Sequence, residues 1–142
     1  MNTQLNKVQP ITVTHITDED QRLLMFPLHF GTRNGLMFEQ FVYTLADNFC
    51  PSYNGGYWEF FRLSNGGFFM HPHGNERMEL RSTNGTEGIV ARDTVGIVLC
   101  LFAYSIMTER GAEPQRFQDH FDWLREYAFT HADYSFILSA ID

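Results

Sequence analysis

Residues Val95–Met107 are apolar at nearly every position, with Ser105 as the clear exception. At 3.6 residues per turn, thirteen such residues cover the whole circumference of a helix. The stretch is too short to span a bilayer, which takes about 20 residues. A helix of this kind must be buried on most sides, so it is expected at the centre of the molecule. Asp93 or Thr94 is placed to cap it, and Gly111 to end it after Arg110. The rest of the 142-residue chain then has to wrap around one helix. A chain of this size buries roughly two-thirds of its unfolded surface, which suits one compact domain.

The surrounding elements can be read from pattern. Residues 1–10 are expected as a loose tail. Ile11 and Val13 alternate with Thr12 and Thr14, which predicts a short strand or an extended arm over 11–16. The expected boundaries are a loose N-terminal arm over 1–16 and one domain over 17–142. Thr17 is positioned as an N-cap, with Asp18, Glu19 and Asp20 in the first turn complementing the helix dipole. Pro27 and Gly31 are expected to close that helix. From Leu36 to Asn48, apolar residues recur at Leu36, Met37, Phe38, Phe41, Val42, Leu45 and Ala46, an amphipathic helix that Pro51 prevents from continuing. Strands are predicted at 57–63, 68–71, 78–82 and 87–91, with Ser64-Asn65-Gly66-Gly67 and Asn84-Gly85 as tight turns. A helix follows from about Gln115 to Thr130, then a short helical turn over 134–141. The expected class is α+β: a small antiparallel sheet of three to four strands at about residues 57–91, flanked by four to five helices.

Charge and cysteine usage narrow the function. The chain carries 17 acidic and 10 basic residues, a formal net charge of −7. It lacks the basic face of a dedicated nucleic-acid binder, so no direct nucleic-acid binding is expected. DNA carries about one charge per 1.7 Å of helix axis, and seventeen acids diluted by ten bases fall short of that density. Whole-surface DNA mimicry is therefore a poor expectation. The N-terminus has no apolar core of a signal peptide. Cys50 and Cys100 are isolated thiols with no CxxC spacing, and together these features predict the cytoplasm and no membrane partner. His71 and His73, two apart on an extended chain, could serve as two zinc ligands, but nothing in the spacing selects a third from His29, His120, His131, Glu76 or a cysteine. Neither a nucleophile motif nor a phosphate-binding glycine loop is present. No catalytic residue, metal or cofactor is expected.

Seven aromatic residues crowd Tyr53–Phe69. Alternation places Tyr57, Glu59 and Phe61 on one face and Trp58, Phe60 and Arg62 on the other. Both faces carry large rings, so one must pack on helices while the other is covered too or open to a partner. At this point the chain resembles a known family. Residues Asn54 to Met70, reading Asn-Gly-Gly-Tyr-Trp-Glu-Phe-Phe-Arg-Leu-Ser-Asn-Gly-Gly-Phe-Phe-Met, are similar to the signature of the ArdB/KlcA-type antirestriction proteins. The Ala46-Asp47-Asn48-Phe49-Cys50 segment, the Gly96-Ile97-Val98 helix and the closing Ala140-Ile141-Asp142 are similar as well. The resemblance covers residues 22 to 142.

The resemblance implies a compact α+β accessory protein of plasmids or other mobile elements that protects incoming DNA in a bacterial host. Its partner would be the host type I restriction–modification complex, met directly or indirectly. This family, unlike the ArdA-type group, is not regarded as a DNA mimic, and it offers no established catalytic residues to carry over. The candidate interaction surface is Tyr57, Trp58, Arg62, the turn Ser64, Asn65 and Gly66, and the acids Asp119, Asp122 and Glu126. The alternatives are a small metal-dependent hydrolase using His71 and His73, and an acidic DNA mimic acting through helix 115–130.

Overall fold

The computed structural model describes residues 9–110 and 113–142. Residues 1–8 of the tail expected over 1–10, and the helix end at Gly111, lie outside the described residues. The element order is β1 (Val13–Ile16), α1 (Glu19–Phe30), α2 (Thr32–Phe49), β2 (Trp58–Leu63), β3 (Phe68–Pro72), β4 (Met78–Arg81), β5 (Glu87–Val90), α3 (Arg92–Arg110), α4 (Pro114–Ala128) and α5 (Tyr134–Ile141). The class is α+β, with antiparallel strands in two groups. A three-stranded sheet has the order β1-β2-β3, and β4-β5 is a separate ribbon. Of the two options for residues 11–16, the strand is realised. Val13 pairs with Leu63, and Ile16 pairs with Phe60.

Helix α3 is central, as its composition requires. Val95, Ile97, Val98, Leu99, Leu101, Ala103, Tyr104 and Met107 are each fully buried. Its contact with β3 explains why the sheet stops at three strands. Gly96, Cys100 and Tyr104 repeat every four residues, so they form one line along the helix. That line faces the outer edge of β3. The Tyr104 hydroxyl donates to the Phe68 carbonyl at 2.6 Å, and the Cys100 thiol approaches the Met70 carbonyl at 3.8 Å. A Cβ on Gly96 would sit 2.3 Å from that same Met70 oxygen. Backbone acceptors that a fourth strand would have met are thus met by a helix.

Several helix ends differ from expectation: α2 starts at Thr32 rather than Leu36, and α3 starts at Arg92, so that Asp93 and Thr94 lie inside it rather than capping it. Asp18, not Thr17, caps α1, and its carboxylate accepts from the Gln21 amide at 3.0 Å. Pro27 lies inside α1 rather than ending it. Proline's fixed φ suits a helix, and Leu23, whose carbonyl loses its partner, is exposed to water. The break falls instead at Gly31, whose φ of +80° only glycine adopts readily. The last segment is a helix of eight residues. Its C-terminal carbonyls are taken by the β4–β5 ribbon: Ser82 donates to Ala140, and Asn84 and Thr86 donate to Ser139.

Candidate functional site

The signature hairpin is the junction of the molecule. On its inner face Trp58, Phe60 and Phe68 are buried, with Phe26 of α1 5.2 Å from Phe60 and 5.9 Å from Phe68 between ring centroids. Trp58 therefore presents no surface; its indole nitrogen donates to the Tyr53 hydroxyl at 3.1 Å. Tyr57 lies just before β2 and is half exposed, and the Arg22 guanidinium sits 4.4 Å from its ring centre. Gly55 and Gly56 have φ of +90° and +105° with no atom within 4 Å of a hypothetical Cβ. Backbone conformation, not crowding among the described residues, is what asks for glycine at both.

The turn ties three parts of the chain together. Ser64 accepts from the Thr12 amide at 2.8 Å, which fastens the segment leading into β1. The Asn65 side chain accepts from Gly67 and donates to both the Trp123 carbonyl and the Glu126 carboxylate of α4. Gly66, at φ +106°, lies against the Trp123 indole. Beside it opens a cleft of about 460 Å³ lined by Leu28, His29, Gly66, Arg116, Asp119, His120 and Trp123. Burial lowers His29 to a pKa of about 4, helped by the nearby charge of Arg62, and lowers His120 to about 3. Both rings are neutral at pH 7. His29 Nε2 and His120 Nδ1 are buried without a hydrogen-bond partner among the described residues.

The structure thus brings Arg62, Asn65, Gly66, Asp119 and Glu126 around one end of the sheet. Asp122 is exposed and bonded to Gln118, and Asp119 is bonded to Gln115. The acids of α4 are interleaved with Arg116 and Arg125.

The outer face of the sheet carries a second cleft, of about 480 Å³. Here alternation leaves Glu59 and Phe61 of β2 beside Phe69 and His71 of β3, with His15 of β1 alongside. Glu59 accepts from His15 Nε2 at 2.8 Å and from His73 Nδ1 at 2.5 Å. The His73 hydrogen bond, with that of His15, holds the carboxyl below the usual carboxylate range. Asp93 accepts from His131 at 2.7 Å, which lowers the acid and raises the imidazole. Sequence pattern missed these pairs. Glu59 and His71 are cross-strand neighbours, which the hairpin register would have revealed, but His15 and His131 arrive from distant segments. Among the described residues, no group of three or more His, Cys, Asp or Glu side chains is arranged to hold a metal ion. Burial raises Cys50 to about 11 and Cys100 to about 12, as inert thiols. No helix of the described residues is long and apolar enough to cross a membrane.

Comparison with known proteins decides the lineage. The family described as Antirestriction protein matches residues 51–142, a span that holds the hairpin, α3 and the turn on α4. The chain belongs to the antirestriction protein family. Over their full lengths, it is 36% identical to the antirestriction protein KlcA of Escherichia coli. It is 38% identical to YafX of Escherichia coli K12 over 136 residues, 93% of this chain and 88% of that one. A solved structure from work on KlcA and ArdB superposes with a TM-score of 0.86 at 36% identity and covers 100% of both chains. Those proteins are described as having a novel fold and antirestriction activity against type I DNA restriction systems in vivo but not in vitro. Two glycines of this chain have a physical account: Gly66 lies under the Trp123 ring, and Gly96 lets α3 reach β3.

Proposed function

We propose that the chain alleviates type I restriction of incoming DNA, as a non-catalytic protein that binds a protein partner in the bacterial cytoplasm. The observation that carries this reading is the full-length likeness to KlcA and ArdB. Activity of those proteins in vivo but not in vitro favours a route that needs a cellular component beyond the purified enzyme.

The surface we assign to this task is the end of the sheet around the signature turn: Arg62, Ser64 and Gly66, with Asp119, Asp122 and Glu126 on α4 and Tyr57 at the start of the hairpin. Mimicry of DNA is disfavoured, because the α4 acids are hydrogen-bonded to Gln115, Gln118 and Asn65 and alternate with arginines. Such a helix lacks the regular, uncompensated charge of a phosphate backbone. A metal-dependent hydrolase is disfavoured because, among the described residues, no third His, Cys, Asp or Glu is arranged with His71 and His73 to hold a metal ion. Expression in a host with a type I system should raise the plating of unmodified phage. Unchanged restriction with folded protein present overturns the proposal.

A further inference from the structure

Two carboxylates stand in the outer-face cleft among apolar and aromatic side chains. Glu59 reaches it from β2 and Asp93 from the start of α3. His71 lies within the field of both carboxylates. Its Nδ1–H donates to the Pro72 carbonyl at 2.9 Å, which leaves Nε2 as a lone pair. Each carboxylate accepts from histidine yet keeps further lone pairs. The walls are apolar. Phe61 stacks on His15, Phe69 and His71 at centroid separations of 4.7–4.9 Å, and Tyr127 continues the ladder at 5.9 Å from Phe69. Arg92 also lines the cleft, but its Nε and Nη1 donate to the Glu76 and His73 carbonyls and brace that loop. Two carboxylates and one guanidinium line the cleft, and that guanidinium is already engaged by backbone carbonyls.

We propose that this cleft receives an arginine side chain of the protein partner, its guanidinium placed between Glu59, His71 and Asp93. Two carboxylates and an imidazole lone pair lining one cleft suit the planar five-donor fork of arginine better than the compact ammonium of lysine. The methylene stem packs along the edge of Phe61, which the fold leaves partly exposed. Low polarity at the walls strengthens the charge-assisted bonds. The net charge of −7 draws a basic partner and repels a phosphate-bearing ligand.

This assignment rests on the reading of the chain as a protein-binding antirestriction factor, and its test separates the two. The full chain is titrated, by amide and imidazole NMR, with Nα-acetyl-arginine methylamide, its lysine counterpart and guanosine monophosphate. The arginine probe should give saturable shifts at Phe61, Phe69, His71 and Tyr127, with the lysine probe several-fold weaker. Asp93→Asn and Glu59→Gln, each checked for a dispersed native spectrum, should each weaken arginine binding about tenfold, the order of one lost charge-assisted hydrogen bond. Equal response to arginine and lysine, no shift at the cleft of the folded protein, or preference for the nucleotide overturns the assignment. This titration needs no restriction enzyme. Failure here beside intact phage protection sinks only the arginine site, whereas probe binding without protection sinks the functional reading.

Discussion

Glycine 96 carries more of the fold than its size suggests. A Cβ there would meet the Met70 carbonyl at 2.3 Å and the His71 Cβ at 2.6 Å. Alanine favours a helix by about 1 kcal/mol over glycine, so propensity alone predicts that Gly96→Ala stabilises. The close approach predicts the reverse, a loss of about 2 kcal/mol or more, because both neighbours are backbone or packed side chain. Urea unfolding decides between them, and a stabilised variant would refute the packing of α3 on β3. The two buried imidazoles give a second residue-level expectation. His29 and His120 have folded pKa values of about 4 and 3, below the 6.5 of free histidine. As pH falls below about 6.5, the unfolded chain takes up protons that the folded chain refuses. Stability from these groups is therefore complete above pH 6.5 and declines towards pH 4, by up to about 1.4 kcal/mol per pH unit for each group. Both rings should remain neutral at pH 5 in an imidazole NMR titration, and charged rings in the folded protein at that pH would contradict it.

Elements dock through a few polar hinges. Asn65 alone makes three hydrogen bonds that join the β2–β3 turn to itself and to α4. Asn65→Ala should cost roughly 2 kcal/mol and loosen the turn from Trp123. A fall in the urea midpoint with a changed tryptophan emission is the expected result, and an unchanged pair of readings would show the docking to be incidental. Turn chemistry made this part of the fold legible in advance. Asn65-Gly66 and Asn84-Gly85 mark both hairpins, and the strands fall within two residues of their expected positions. The amphipathic run at 36–48 likewise announced α2. Legibility ended where pairing is long-range. The four residues of β1 carry too little pattern to name β2 as their partner. Pro27 reads as a stop until the exposure of its helix face is known. Trp58 and Tyr57 look alike in sequence, yet one is buried and the other half exposed, because only the sheet's packing on α1 and α2 distinguishes the faces. The clefts were hidden for the same reason: their histidines and acids come from β1, α1, α3 and α4.

At the scale of the molecule, α3 fills the centre, the sheet leans one face on α1 and α2, and the other face opens to solvent between β1, α3 and α4. The charge of −7 is dispersed over caps, ion pairs and hydrogen-bonded acids rather than arranged as a phosphate track. Among the described residues, no group of three or more His, Cys, Asp or Glu side chains is arranged to hold a metal ion. Its lineage connects the chain with the relief of restriction. The most direct measurement is the efficiency of plating of unmodified phage on hosts with a type I system, a type II system or neither, each expressing the chain or an empty vector. The account predicts plating on the type I host rising towards the non-restricting level while the type II host is unaffected. Plating on the type I host that stays at the empty-vector level, with folded protein present in the cells, would contradict it.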